Sequence, residues 1–237
     1  RHGCLSDQGY PEWIDALIIS HPQIAVSIIK REIESEWTAT VRSRSNFLPH
    51  YGATGQIILQ PLQKILIERI CGSEAGNLIA LDRGVDILRN LTLDGIQRKK
   101  LISVARKRFA HHQKKHKEDY ALHYLAALLL LNLDEAVEVL TSWLGAAPAD
   151  SRQLRAERTL GMLFERRNPL LVGVLERASV ATLEKLLHLA YRHIRPEDDA
   201  VHNGTYSPDA RDHAENARNE LRTTLIKCPG AGAYRAM

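Results

Sequence analysis

The chain has 237 residues, 44% of them hydrophobic and 25% charged, which is enough for one large or two small domains with a substantial core. Aromatic residues contribute only 5%, which suits helices packed on helices better than sheets, and a formal charge of +4 selects neither a nucleic-acid nor a protein partner. Cys4, Cys71 and Cys228 are far apart and outside any metal-ligand spacing, arguing against a disulfide framework or zinc site, and no stretch reads as a signal peptide or membrane span, so a cytoplasmic chain without membrane contact is expected.

The first ten residues are polar, and Pro11 fits the first turn of a helix whose apolar stripe is Trp13, Ile14, Leu17 and Ile18. Pro22 opens a second helix with Ile24, Ala25, Ile28, Ile29 and Ile33 inward and Lys30, Arg31, Glu32, Glu34 and Glu36 outward. Residues 1–38 are therefore expected to form an N-terminal helical hairpin. Residues 39–55, with Pro49, Gly52 and Gly55 and little periodicity, mark a boundary, and 56–237 form the main helical-repeat domain. Helical spacing resumes through Ile57, Ile58, Leu62, Ile65, Leu66 and Ile70, with Pro61 kinking or beginning that helix. A further helix is expected from about Glu74 to Leu91, and Asp94 should cap the next, which runs to about Ala110.

Residues 120–144, YALHYLAALLLLNLDEAVEVLTSWL, predict a central hairpin. From Tyr120 to Leu133 only His123 and Asn132 are polar, and a helix apolar all round must be covered on every side. Asn132 is the candidate cap of its partner, whose stripe is Ala136, Val137, Leu140, Trp143 and Leu144. After Gly145 and Pro148, Ser151 starts a charged helix through Leu154, Leu160, Leu163 and Phe164, and Pro169 begins another with Leu170, Leu171, Val174 and Leu175 inward. Ser179 opens a helix with Leu183, Leu186, Leu187, Ala190, Tyr191 and Ile194 on one side. Ser207, as N-cap, with Pro208 and Asp209, starts the last helix, which ends before Pro229. The expected class is all-α, with about ten or eleven helices in stacked hairpins as in a HEAT-like α-solenoid. A start at Arg1 and a stop within Ala233–Met237, where a new helix is expected to begin, suggest a fragment of a larger protein.

The strongest charge feature is 98–117, RKKLISVARKRFAHHQKKHK, with nine Lys or Arg and no acid. On a helical wheel Leu101, Val104, Ala105 and Phe109 share one side while Lys99, Lys100, Arg106, Lys107, Lys114 and Lys117 gather opposite. Such a face either is solvated or tracks a phosphate backbone, although no aromatic residue is interleaved for base stacking. His111, His112 and His116 do not share a helical face, unlike a metal-binding pair at i and i+4, so no metal or other cofactor is assigned. Residues 195–213 concentrate Glu197, Asp198, Asp199, His202, Asp209, Asp212 and His213, a density that suits Mg²⁺ binding or acid–base chemistry but is better explained by the first turn of a helix for Asp209 and Asp212 and by a soluble loop for Asp198 and Asp199. Arg-to-His spacings of a helical ribonuclease occur from Arg195 to His202, from Arg106 to His111 or His112 and from Arg44 to His50, as often as chance supplies them. Phosphate loops, nucleophile elbows and HExxH motifs are absent, so no catalytic residue is assigned and the chain is read as a non-enzyme. His123 and His188, on apolar faces, are expected to be core histidines with a hydrogen-bond partner.

Residues 179–237 resemble the carboxy-terminal helical region of large bacterial STAND ATPases with a NACHT-type nucleotide-binding domain. The resemblance lies in Leu189-Ala190-Tyr191, the turn Arg195-Pro196-Glu197-Asp198-Asp199, Gly204-Thr205-Tyr206-Ser207-Pro208 leading into Ala210-Arg211-Asp212, and Pro229-Gly230 before Ala233-Tyr234. The preceding LLLLNLDEAVEVLTSWL is similar too. The resemblance implies the sensor part of such an ATPase, recognising a protein trigger, as in antiphage defence, with neither ATP binding nor catalysis of its own. The residues and the resemblance together favour a non-catalytic protein-recognition or scaffolding surface. A nucleic-acid-binding helical module and a helical ribonuclease are the alternatives.

Overall fold

In the computed structural model, residues 13–40, 56–164, 173–199 and 207–228 are described. Every regular element among them is helical: α1 (Trp13–Ser20), α2 (Pro22–Thr38), α3 (Gln56–Gly72), α4 (Leu78–Asn90), α5 (Gly95–Lys114), α6 (Glu118–Leu131), α7 (Leu133–Gly145), α8 (Ala149–Phe164), α9 (Val180–His193) and α10 (Ala210–Lys227), with a 3₁₀ turn at Pro196–Asp198. The chain is all-α, as its composition predicts. No helix among the described residues is long and apolar enough to cross a membrane. The described residues fall into two compact units, divided between Ala127 and Leu128. The α1–α2 hairpin lies in the first unit, packed on α3 and α4. The proposed boundary over 41–55 lies outside the described residues.

In the first unit Trp37 is the keystone. It is fully buried, its indole N–H donates to the Ser73 carbonyl (3.2 Å), and its ring lies against Gly84 of α4. A Cβ at Gly84 would stand 2.6 Å from the Trp37 ring, so only glycine lets α4 approach this closely. The connection after α3 is tied to the end of α2 by Gly76 N–H to the Trp37 carbonyl (2.7 Å) and Asn77 Nδ2 to the Ala39 carbonyl (2.7 Å). Asn77 also caps α4 by accepting from Ala80 N (2.9 Å), which is why that helix begins at Leu78 instead of Glu74. Three side chains of the first hairpin sit opposite to expectation. Ile24 and Ile28 are exposed while Glu36 is buried, because the buried line of α2 runs Ala25, Ile29, Ile33, Glu36, Trp37 and is set by Trp37. The side chains of Ile57, Ile58 and Leu62 lie outside the described residues.

Asp94 caps α5 as expected, accepting from Gln97 N (2.7 Å) while Gln97 returns a bond to Asp94 N, and the helix continues past Ala110 to Lys114. It ends on His116, in the left-handed region at φ 54°, with Lys117 N–H bonded to the His112 carbonyl (3.0 Å) and His116 N–H to the Gln113 carbonyl (3.2 Å). Those two bonds are a Schellman termination, with histidine where glycine is usual. Residues 121–131 are buried apart from His123 and Leu130, which are half-buried, as a helix apolar all round requires.

In the second unit the stripe of α7 is the expected one, Ala136, Val137, Leu140, Trp143 and Leu144, with Asn132 as its cap. The tightest packing joins α8 to α10, where a Cβ at Gly161 would meet His213 Cβ at 2.9 Å and Ala214 N at 3.2 Å. Ala156, Leu160, Ala214, Ala217 and Leu221 are all buried on these two helices. Leu154, expected inward, is exposed, since it lies off the buried line through Ala156, Leu160 and Leu163. Ser179 caps α9 by accepting from Thr182 N (3.1 Å), and Thr182 in turn donates to Asp134 at the start of α7. The cap of α10 is Asp209 and not Ser207. Asp209 Oδ1 accepts from Arg211 N (2.8 Å) and Asp212 N (3.1 Å), and Asp212 closes a capping box by accepting from Asp209 N (2.8 Å).

Candidate functional site

The predicted basic face is present on α5. Leu101, Ala105, Arg108, Phe109 and His112 form its buried side, packed towards α3. Lys99, Lys100, Arg106, Lys107 and Lys114 are all exposed on the other side, together with Ser103, Ala110 and Ile96. Lys117 lies just beyond the helix, exposed, with its ammonium 5.7 Å from the Tyr120 ring centroid. The structure thus brings the helical members of the proposed set onto one solvent face and sets Lys117 beside them.

Inside the same unit lies a cluster that the linear pattern does not reveal. Arg108, counted in the sequence as one more cation of the basic run, turns inward and donates to the Ile70 carbonyl (2.6 Å), satisfying an acceptor in the last turn of α3. Its guanidinium stands 5.7 Å from the Tyr124 ring. His112 is buried against both tyrosines, stacked at 5.0 Å on Tyr120 and 5.5 Å on Tyr124, with Nε2 3.6 Å from Glu74. Burial pushes the His112 pKa down and the Tyr124 pKa up, so both are neutral near pH 7. Among the described residues, buried His112 Nδ1 and Nε2 and Ser73 Oγ have no hydrogen-bond partner. His111 and His116 are exposed, so the three histidines do not converge, and no group of three or more His, Cys, Asp or Glu among the described residues is placed to hold a metal. His123 behaves as expected, with Nδ1 2.7 Å from the Asp119 carbonyl and Nε2 3.6 Å from Asp82. His188 does not: it is exposed, because the buried line of α9 runs Thr182, Leu183, Leu186, Leu189, Ala190 and leaves position 188 on the far side.

The acid-rich segment of the second unit is organised by two arginines of α10. Arg218 is buried, donates through Nη1 to the Ile194 carbonyl (2.9 Å), and grips both oxygens of Asp199. Arg211 reaches Asp199 (2.9 Å), Glu215 (3.0 Å), Glu157 of α8 (3.2 Å) and the Arg195 carbonyl (2.6 Å). Together they fasten the end of α9 and the turn after it to α10 and α8. Arg218, with help from Arg211, holds Asp199 below the usual carboxylate range. Of the seven acids and histidines singled out there, Asp209 and Asp212 form the cap, Asp199 the brace, and Glu197 and Asp198 an exposed 3₁₀ turn. His213 lies against Gly161 at the α8–α10 crossing, and His202 lies outside the described residues. Of these acids, Asp199 is the one that joins elements, while Asp209 and Asp212 serve the start of α10 itself.

Cys71 and Cys228 are free thiols, and burial raises the pKa of Cys71, which makes it a poor nucleophile. In comparisons with known proteins no family model matches the chain, and no curated protein or solved structure matches it.

Proposed function

We propose that this chain is a non-catalytic helical recognition or scaffolding module, of HEAT-like stacked hairpins, within a larger bacterial signal-transduction ATPase of the STAND type, where it senses a protein trigger. The observation that carries the proposal is the bracing of the corner at 194–199, the turn on which the resemblance to such sensors rests. Arg211 and Arg218 engage Asp199, Glu157, Glu215 and the Ile194 and Arg195 carbonyls there, so the charge of this segment builds a rigid joint between helices. Rigid joints between short helices suit a scaffold that presents surface to a partner. Exposed Ile19, Ile24 and Ile28 on the first hairpin add apolar contact area of the kind protein partners use.

The test is immunoprecipitation of the native polypeptide followed by peptide mapping. The expected result is a multi-domain chain of about 100 kDa or more whose peptides include a GxxxxGK[ST] phosphate loop. A native polypeptide no larger than the present sequence would overturn the proposal.

A further inference from the structure

The exposed face of α5 has a finer organisation than a run of positive charge. At 100° per residue, Lys99 and Arg106 form one row and Lys100, Lys107 and Lys114 a second, on the two flanks of the face. Successive members of a row are seven residues, or about 10 Å, apart along the axis. Between the rows the exposed residues are Ile96, in the first turn, and then the small Ser103 and Ala110. No acid occurs from Gly95 to Lys117, so nothing on this helix neutralises the rows from within. The face is anchored from behind by Leu101, Ala105 and Phe109, and from within by the bond of Arg108 to the Ile70 carbonyl, which fixes its register.

We infer that α5 is a docking helix for B-form duplex DNA, lying in the major groove with its two rows of cations reaching the phosphates of the opposite strands. A major groove about 12 Å wide admits one α-helix, and Ser103 and Ala110 at the centre of its middle and last turns allow close approach there. The absence of exposed aromatic side chains on the face disfavours single strands, which are held by base stacking. The narrow major groove of A-form RNA disfavours duplex RNA. Cations without Asn, Gln or paired Arg at the centre of the face imply binding through phosphates with little sequence preference. This inference stands apart from the protein-sensor proposal, and either can fail without the other.

The test is fluorescence anisotropy with a labelled duplex DNA of 24 base pairs, titrated across salt from 50 to 200 mM, with the RNA duplex of the same sequence and polyglutamate as competitors. Six neutralised phosphates, one for each of the five row cations and one for Lys117, give a slope of log affinity against log salt of about −5, so the wild-type chain should lose about a thousandfold in affinity over that range. The variant K99E/K107E/K114E should show a slope of about −3 or shallower and lose most of the low-salt binding. A control, K30E/R31E/K64E, reverses three exposed cations elsewhere in the same unit and changes the net charge by the same amount, from +4 to −2; it should bind within a few-fold of wild type. Equal losses in the two variants would overturn the inference, as would absent or salt-independent DNA binding, equal affinity for the RNA duplex, or competition by polyglutamate as strong as that by DNA at equal charge. Far-UV circular dichroism confirms that both variants remain helical.

Discussion

On α10, Arg211 and Arg218 turn inward and engage carboxylates and carbonyls from α8, from the end of α9 and from the turn that follows α9, whereas on α5 Lys99, Lys100, Lys107 and Lys114 point into solvent from a helix anchored by its opposite side. The two helices have similar sequences in one respect, since both alternate basic residues with alanines and leucines. What separates them is the residue type and the supply of partners. Guanidinium groups donate several hydrogen bonds at fixed angles and so can close a corner between helices, while ammonium groups are strongly hydrated and remain at the surface. Arg108 makes the same distinction within α5, as the one described cation of that helix whose side chain is buried. The lesson is that arginine in a buried corner reads as structure, and a lysine row on one face reads as surface available to a ligand.

The hardest way to break this contrast is Asp199→Ala. It removes the carboxylate shared by Arg211 and Arg218 and should cost about 3 kcal/mol in urea unfolding, with the loss confined to the second unit. Because the folded pKa of Asp199 is depressed, its contribution is present above the ordinary carboxylate value of about 3.9 and is lost as pH falls through the lower folded value. The variant should therefore have a flatter acid limb than wild type, and an unchanged limb would remove Asp199 from the brace. Next in size is Gly161→Ala, which places a methyl 2.9 Å from His213 Cβ where α8 and α10 touch; about 2 kcal/mol should be lost. Unaltered stability there would mean that the two helices are not in backbone contact.

The first unit can be sharpened by pH. Burial lowers the pKa of His112, so the unfolded chain takes up the proton first and stability falls as pH drops below about 6.5. His123 behaves in the opposite sense: burial lowers its value, but Asp82 and the Asp119 carbonyl outweigh that and raise it, so its contribution is present below about 6.5 and lost as pH rises through the folded value. Replacing His112 by Phe should flatten the loss of stability between pH 7 and 5, and His123→Gln should cost more at pH 5.5 than at pH 8. Unfolding midpoints at four pH values separate the two, and identical pH profiles for both variants would contradict the assigned environments. The smallest expected effect is a gain: His116→Gly relieves a left-handed residue at the end of α5 and should stabilise by about 1 kcal/mol.

Periodicity made the helices legible where a helix has one dry side. The α7 stripe from Ala136 to Leu144, the caps Asp94, Asn132 and Ser179, and the basic face of α5 all follow from local patterns with a period near 3.6 residues. Failures occurred where tertiary contacts choose among equally apolar positions. Ile24 and Ile28 lost the interior to Trp37 and Glu36, and Leu154 lost it to Leu160 and Leu163. The Arg211 and Arg218 brace was hidden because its partners other than Glu215 lie between 12 and 54 residues away in sequence, beyond the reach of any helical spacing rule. The pairing of His112 with Tyr120 and Tyr124 had a usable signal, since two aromatic residues one turn apart on α6 follow a histidine directed inward on the basic helix.

The most direct test of the contrast removes two cations from each helix and compares urea unfolding of the two double variants, R211Q/R218Q and K99Q/K107Q. The account predicts that the α10 pair loses about 3 kcal/mol or more while the α5 pair stays within about 0.5 kcal/mol of wild type. Equal losses, or a larger loss for the α5 pair, would contradict the claim that charge on α10 holds the fold while charge on α5 faces solvent.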